Sequence, residues 1–291
     1  VSEMELKPVR SVLYMPASNA KAIAKARILD CDAVILDLED AVGPDEKVDA
    51  RIRALEAVRE GGFGHRQVVV RVNGLDTPWG REDMEAIAAS AVAPNAVLAP
   101  KISTAGDVHA YDALMASLPP ATQLWIMIET ARSIFTLPAI ADAAQETRLA
   151  AFVMGTNDLC KETNARLVAG RAALVPQLCM AVTAAKMAGL AIIDGVYNEL
   201  QNAAGLEAEC RQALEFGFDG KTLIHPNQID IANSVFSPTE AEIGFAKAVI
   251  EAFEKPENAS AGVLKVDGKM VELLHLEQCR RLMAVARSLT R

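Results

Sequence analysis

Two carboxylates stand where apolar runs of this sequence end. Glu129 follows LWIMI, and Asp158 closes VMGTND. If both sit at the tips of neighbouring buried strands, two hard oxygen ligands converge. Such a pair suits Mg²⁺, which keeps its other positions for water or substrate oxygens. Asp158 taken alone also reads as a cap on the helix that follows. Arg71 lies inside VVVRVN, and a guanidinium in so apolar a strand needs an anionic partner. That partner is a substrate carboxylate gripped through two hydrogen bonds, or a buried ion pair with Asp37 or Glu39, and both roles are compatible. Asp37, Glu39 and Asp40 form the cluster LDLEDAV. Strand alternation puts Asp37 and Glu39 on one inward face, placed to orient Arg71, Lys101 or the waters of a metal. Asp40 would equally cap a helix. Asn157, Ile224 and His225 fall at loop tips, and His225 is read as a binding residue, since a lone loop histidine seldom acts as acid or base. Arg10, Tyr14, Lys25 and Arg27 surround the first strand and helix. They offer positive charge to a phosphate-bearing ligand, or simply a solvated helix face.

The elements that must position these groups are legible as a rhythm. Eight short aliphatic runs recur: SVLYMP from Ser11, AVILDLE from Ala33, QVVVRVN from Gln67, AVLAPK from Ala96, QLWIMIET from Gln123, AFVMGTND from Ala151, AIIDGV from Ala191 and GKTLIHP from Gly220. Most are apolar on both faces, as parallel strands buried on both sides require. Between them lie stretches of helical period such as NAKAIAKARIL, DEKVDARIRALEAVRE, REDMEAIAASA and PQLCMAVTAAKMAG. The last ends in glycine, a usual helix stop. A repeat of roughly thirty residues matches right-handed βαβ units, and eight of them predict a closed parallel (β/α)8 barrel, a TIM barrel. An open doubly wound sheet is the alternative, disfavoured by the lack of a glycine-rich dinucleotide fingerprint. The polar strand tips, including Lys101, Asp194 and His225, then gather on the C-terminal face, where barrel enzymes place their sites.

The pattern changes after Pro238. TEAEIGFAKAVIEAFEK reads as a helix, VLKVDGKMV as a hairpin turning at Asp267-Gly268, and ELLHLEQCRRLMAVARS as a final helix. Residues 1–237 are therefore expected to form the barrel domain, and residues 238–291 a helix–hairpin–helix arm or lid packing on a neighbouring subunit. The formal net charge of −9 and the lack of a basic stripe argue against a nucleic-acid partner. The apolar runs are strand-sized, short of a membrane span, and VSEMELKPVR lacks the apolar core of a secretory signal. Five scattered cysteines without a CxxC pair suggest neither zinc nor a disulfide framework, which fits a cytoplasmic protein.

Taken in order, RSVLYMPASN, ILDLEDAV, VVRVNGLDT, PK, MIET, GTNDL, DGVYN and DGKTLIHPNQI resemble the aldolase/citrate lyase superfamily, in its citrate lyase β-subunit-like branch with the malyl-CoA and citramalyl-CoA lyases. The resemblance runs from about Arg10 to the C-terminus. It implies a Mg²⁺-dependent barrel, with Mn²⁺ as a possible substitute, assembled as a homotrimer or homohexamer. It implies Glu129 and Asp158 as metal ligands and Arg71 as the grip on a substrate carboxylate. Tyr14, Lys25, Asn157, Ile224 and His225 would contact substrate or CoA. The arm would bring an acidic residue to a neighbour's site. In the lyases that residue is Asp, whereas GKMVE places Glu272 here, moving the carboxylate by roughly an ångström, a displacement that costs on the order of a hundredfold in rate. The thioesterase members of the branch carry a similar hairpin followed by Glu. The activity expected first is carbon–carbon cleavage of a malyl-CoA-type thioester (malyl, citramalyl or methylmalyl) to a 2-oxo acid and acetyl-CoA or propionyl-CoA, with Glu272 passing the proton and Arg71, Asp37 and Glu39 assisting. Hydrolysis of (3S)-malyl-CoA to malate and CoA is the alternative, and a carrier-dependent citrate lyase β-type subunit the second.

Overall fold

The computed structural model describes residues 7–290. The chain divides into two compact units, residues 9–236 and the stretch from Ser237 onward, the latter taking in Pro8 ahead of the first strand, so the barrel begins at Val9 rather than at the first residue.

The first unit is the eight-stranded barrel. Its strands are β1 (Ser11–Pro16), β2 (Ala33–Asp37), β3 (Gln67–Arg71), β4 (Ala96–Ala99), β5 (Gln123–Ile128), β6 (Leu149–Met154), β7 (Ala191–Asp194) and β8 (Gly220–Leu223). They pair in parallel in sequence order, and β8 closes on β1 with Ser11 opposite Lys221. Alternation sorts their side chains. Ile35, Val69, Leu98, Trp125, Met127, Val153 and Ile193 pack together inside the ring. Leu36, Val70, Val97, Ile126, Phe152 and Ile192 belong to the larger core beneath the helices. Burial on both faces is why these runs carry no polar alternation.

The covering helices are α1 (Ala20–Ala26), α2 (Lys47–Glu60), α3 (Gly80–Ala88), α4 (Ala105–Leu114), α5 (Ala131–Asp142), α6 (Thr156–Thr163), α7 (Val175–Met187), α8 (Ala203–Phe216) and α9 (Ile229–Phe236). Several begin on a side-chain cap from the strand–helix loop, with Asn19, Thr130 and Asn202 each accepting from a first-turn N–H. Such caps satisfy otherwise orphaned donors. Gly189, at φ 71°, stops the chain after α7 as its sequence suggests.

The second unit contains α10 (Glu240–Glu254), β9 (Val263–Val266), β10 (Lys269–Glu272) and α11 (Leu273–Leu289). The hairpin turns at Asp267 and Gly268, both at positive φ, as a two-residue Asp-Gly turn demands. Val249, Phe253, Val266, Val271 and Leu276 make its core. No helix of the described residues is long and apolar enough to cross a membrane, and the five cysteines are free thiols.

Candidate active site

The strand tips enclose a cavity of about 280 Å³, whose wall includes Tyr14, Asp37, Asp40, Arg71, Met127, Asn157, Asp158 and Ile224. Arg71 ends β3 opposite Asp37 of β2. Its Nε and Nη2 donate to the two Asp37 oxygens, each at 2.6 Å. Nη1 faces Asp40 at 3.4 Å and Glu39 Oε2 at 2.9 Å, and the Tyr14 ring lies under the guanidinium at 4.8 Å. The paired edge that would grip a substrate carboxylate is thus taken up by Asp37. The ion pair expected for Arg71 is therefore present, and Nη1 is the guanidinium nitrogen not committed to Asp37. Burial works against the charge of Arg71, but Asp37, Tyr14 and Glu39 together outweigh it and raise its pKa well above the ordinary value.

Asp37 already matches the charge of Arg71, so Glu39 is a surplus negative charge. Its Oε2 is buried, and although close to Nη1 it makes no aligned hydrogen bond. Burial, aided by Glu129 and Asp40, pushes its carboxyl up from 4.5 to about 8 despite Arg71. A carboxyl raised on folding binds its proton more tightly in the folded chain. Its favourable contribution is therefore complete below about 4.5 and lost as pH rises toward about 8. The melting temperature of Glu39→Gln should accordingly fall less than that of the wild type between pH 6 and 9. Equal slopes in calorimetric scans would count against a neutral Glu39.

Lys47 supports the Glu39 turn from below, donating to the carbonyls of Leu38 and Glu39 at 2.8 and 2.7 Å. On the neighbouring tip, Asp83 accepts from the N–H and amide of Asn73 and from Arg51. Neither support carried a local sequence signal beyond polarity on a helix face.

Glu129 follows β5 directly and is fully buried. Its Oε1 accepts from the Lys101 N–H at 2.7 Å, and its Oε2 has no hydrogen-bond partner. Burial raises its pKa, opposed by Lys101. Asp158 is not at a strand tip. β6 stops at Met154, and Asp158 lies in the first turn of α6, where a helix N-terminus favours negative charge. Gly155 leaves room for Glu129 beside this break, because a Cβ there would stand 2.4 Å from Glu129 Cβ and 2.5 Å from Oε2. Lys101 Nζ joins the two carboxylates, 2.6 Å from Asp158 Oδ1 and 3.4 Å from Glu129 Oε1.

Among the described residues no group of three or more His, Cys, Asp or Glu could hold a metal. The donor set is the two carboxylates. An orphaned buried oxygen on Glu129, beside an Asp158 carboxylate that shares Lys101 with the other Glu129 oxygen, fits a hard cation that takes few protein ligands.

Other expected site residues stand apart. Arg10 precedes β1, at the opposite end of the barrel, and pairs with Asp32 at 2.8 Å. Arg27 pairs with Glu60 and covers Phe63. Lys25 is exposed on α1 and lines no part of the cavity. His225 caps the turn at Pro226–Gln228, its Nδ1 accepting from Asn227 N. Asn157 is at the mouth, joined to Asn198 at 2.9 Å. Glu272 belongs to the second unit, exposed at the start of α11, where its N–H donates to His275 Nδ1.

A closed parallel barrel thus gathers paired acids and a buried arginine at its C-terminal face, the end at which barrel enzymes build their sites. The chain belongs to the HpcH/HpaI aldolase/citrate lyase family, whose profile matches residues 10–226. It is 48% identical, over 97% of its length and 96% of the relative's, to a (3S)-malyl-CoA thioesterase of Cereibacter sphaeroides. Citrate lyase subunit beta of Escherichia coli is 32% identical over 95% of this chain and 93% of that one. Among solved structures, the CitE protein of Mycobacterium tuberculosis, in complex with magnesium, acetoacetate and coenzyme A, superposes with a TM-score of 0.76 at 26% identity, covering 96% and 98% of the two chains.

Proposed function

We propose that this protein hydrolyses (3S)-malyl-CoA or a close analogue to the free acid and CoA, with Mg²⁺ held by Glu129 and Asp158. The observation that carries this reading is the 48% identity, along nearly the whole chain, to proteins named (3S)-malyl-CoA thioesterase. That likeness favours hydrolysis over the carbon–carbon cleavage expected first from the sequence, and Glu272 in place of Asp agrees with it.

When bound, Mg²⁺ (or Mn²⁺ in its place) supplies positive charge to oxygens of the acyl group. The chain's own residues do the rest. Arg71, oriented by Asp37 and stacked on Tyr14, meets the substrate carboxylate through Nη1, displacing Asp40. Glu39 and Asp37 position Arg71 rather than react. Asn157 and Ile224 border the entry of the acyl chain, and Lys25 and His225, outside the cavity, are left as contacts for the distal part of CoA. Glu272, from the arm of a neighbouring copy in a homotrimer or homohexamer, takes a proton from water as its oxygen attacks the thioester carbonyl. The C–S bond breaks, and the CoA sulfur leaves with its electron pair as a thiolate, taking the proton from Glu272 to become a free thiol.

The purified chain alone should release thiol from (3S)-malyl-CoA and stop when EDTA removes the metal. A requirement for an acyl carrier protein or a second kind of subunit would overturn the proposal in favour of a citrate lyase-type component.

A further inference from the structure

Lys101 follows β4 through Pro100, and its backbone is left-handed, with φ 55°, a conformation that side chains other than glycine seldom adopt. This conformation lets one residue hold both acids of the site. Its N–H donates to Glu129 Oε1 at 2.7 Å, while its ammonium lies 2.6 Å from Asp158 Oδ1 and 3.4 Å from the same Glu129 oxygen. The second Glu129 oxygen, buried against Gly155, has no partner. The ammonium therefore stands where a cation shared by the two carboxylates belongs, yet satisfies them incompletely.

We propose that Lys101 is a positioning residue that competes with the divalent ion for Glu129 and Asp158, its ammonium giving way when the ion enters while its N–H stays on Glu129. The inference rests on the reading of those two acids as metal ligands. Charge explains the arrangement. Without a metal, Lys101 neutralises one of two carboxylates and limits the cost of burying Glu129. With a divalent ion added, the group carries one surplus positive charge, which an anionic substrate neutralises. Lys101 thus weakens metal binding in the empty site and couples tight binding to the arrival of a carboxylate-bearing acyl group, a reciprocal linkage.

The test is Mn²⁺ titration of the substrate-free protein, followed by electron paramagnetic resonance of the free ion. Lys101→Met should bind Mn²⁺ about tenfold or more tightly than the wild type, because a unit charge a few ångströms away is removed. Lys101→Arg, which keeps the charge, should stay near the wild type. Metal-free Lys101→Met should also melt lower than the wild type, and gain more in melting temperature from added Mn²⁺. Equal or weaker Mn²⁺ affinity in a folded Lys101→Met protein would overturn the inference while leaving the metal site intact. Failure of the wild type and Lys101→Met alike to bind Mn²⁺ would overturn the metal reading itself, and the inference with it.

Discussion

Glu272→Ala is expected to lower thiol release from (3S)-malyl-CoA by about 10²–10⁴-fold, the usual worth of a general base, while leaving Mn²⁺ affinity within about twofold of the wild type. The division follows from where the groups sit. Glu129 and Asp158 belong to the barrel unit, and Glu272 to the hairpin–helix unit. Glu272 is exposed and caps α11: its side chain accepts from the His275 N–H, and its own N–H donates to His275 Nδ1; alanine keeps only the second bond, at a cost of about 0.5–2 kcal/mol to the helix. The melting temperature of Glu272→Ala is therefore measured beside its activity, and Glu272→Gln, which keeps a side-chain oxygen for the cap but cannot act as a base, should lose as much rate. Glu272→Asp, shorter by one methylene, should retain folding and metal but lose about a hundredfold in rate, the scale of an ångström's misplacement. The check is steady-state thiol release beside a Mn²⁺ titration of each variant. Loss of metal affinity in Glu272→Ala would show that the arm acid does not work separately from the metal ligands.

The second large effect concerns stability and lies on the outer side of the barrel wall. Lys221 of β8 and Asp194 of β7 are fully buried, and Arg171, in the loop before α7, is nearly so. Arg171 Nη1 donates to both oxygens of Asp194, at 2.7 and 2.8 Å. Lys221 Nζ donates to Asp194, to the Gly195 carbonyl and to Glu209 of α8, at 2.6–2.7 Å. Burial alone would raise the Asp194 pKa, but Lys221 and Arg171 outweigh it and hold the carboxyl below its ordinary value. Removing one member of a buried ion network leaves an uncompensated charge, which costs about 3–5 kcal/mol. Lys221→Met should therefore lower the melting temperature by roughly 6–20 °C at neutral pH, at about 2–4 °C per kcal/mol for a unit of this size. Adding Glu209→Gln rebalances the charge and should restore part of the loss. If the double variant melts no higher than Lys221→Met, lost packing rather than charge is responsible. The network also anchors Gly195, next to Val196 of the cavity wall, so substrate affinity should weaken in the single variant.

The barrel was readable because its strands are extreme. AVILD and QVVVR are buried at every position, so each run is uniform, and the intervening stretches keep helical period and capping residues. Arg71 was readable because a guanidinium among valines has few explanations, and Glu129 because it ends an apolar run. Asp158 lies one element later than VMGTND suggests, because that aliphatic run carries no local sign that β6 stops at Met154 and α6 begins at Thr156. Lys101 looked like an ordinary strand-tip lysine, since a left-handed φ and a bond to an acid 57 residues away leave no mark in the local pattern. The partners of Lys221 were equally hidden. Glu209 lies on a helix face that reads as solvated, and Arg171 is in a loop without periodicity. His225 drew notice as a histidine, whereas Asn227, two residues on, makes it a turn cap. Periodic burial is a local property, but ion networks and metal ligands depend on separations the sequence does not display.

The most direct measurement is the product balance after a single chain type acts on (3S)-malyl-CoA with Mg²⁺ in ¹⁸O-labelled water. Free CoA and malate are expected in equal amounts, with label in the carboxyl newly freed from the thioester, and no glyoxylate. Glyoxylate with matching acetyl-CoA and no free thiol would contradict hydrolysis, and would make the protein a carbon–carbon lyase in which Glu272 protonates carbon instead of activating water.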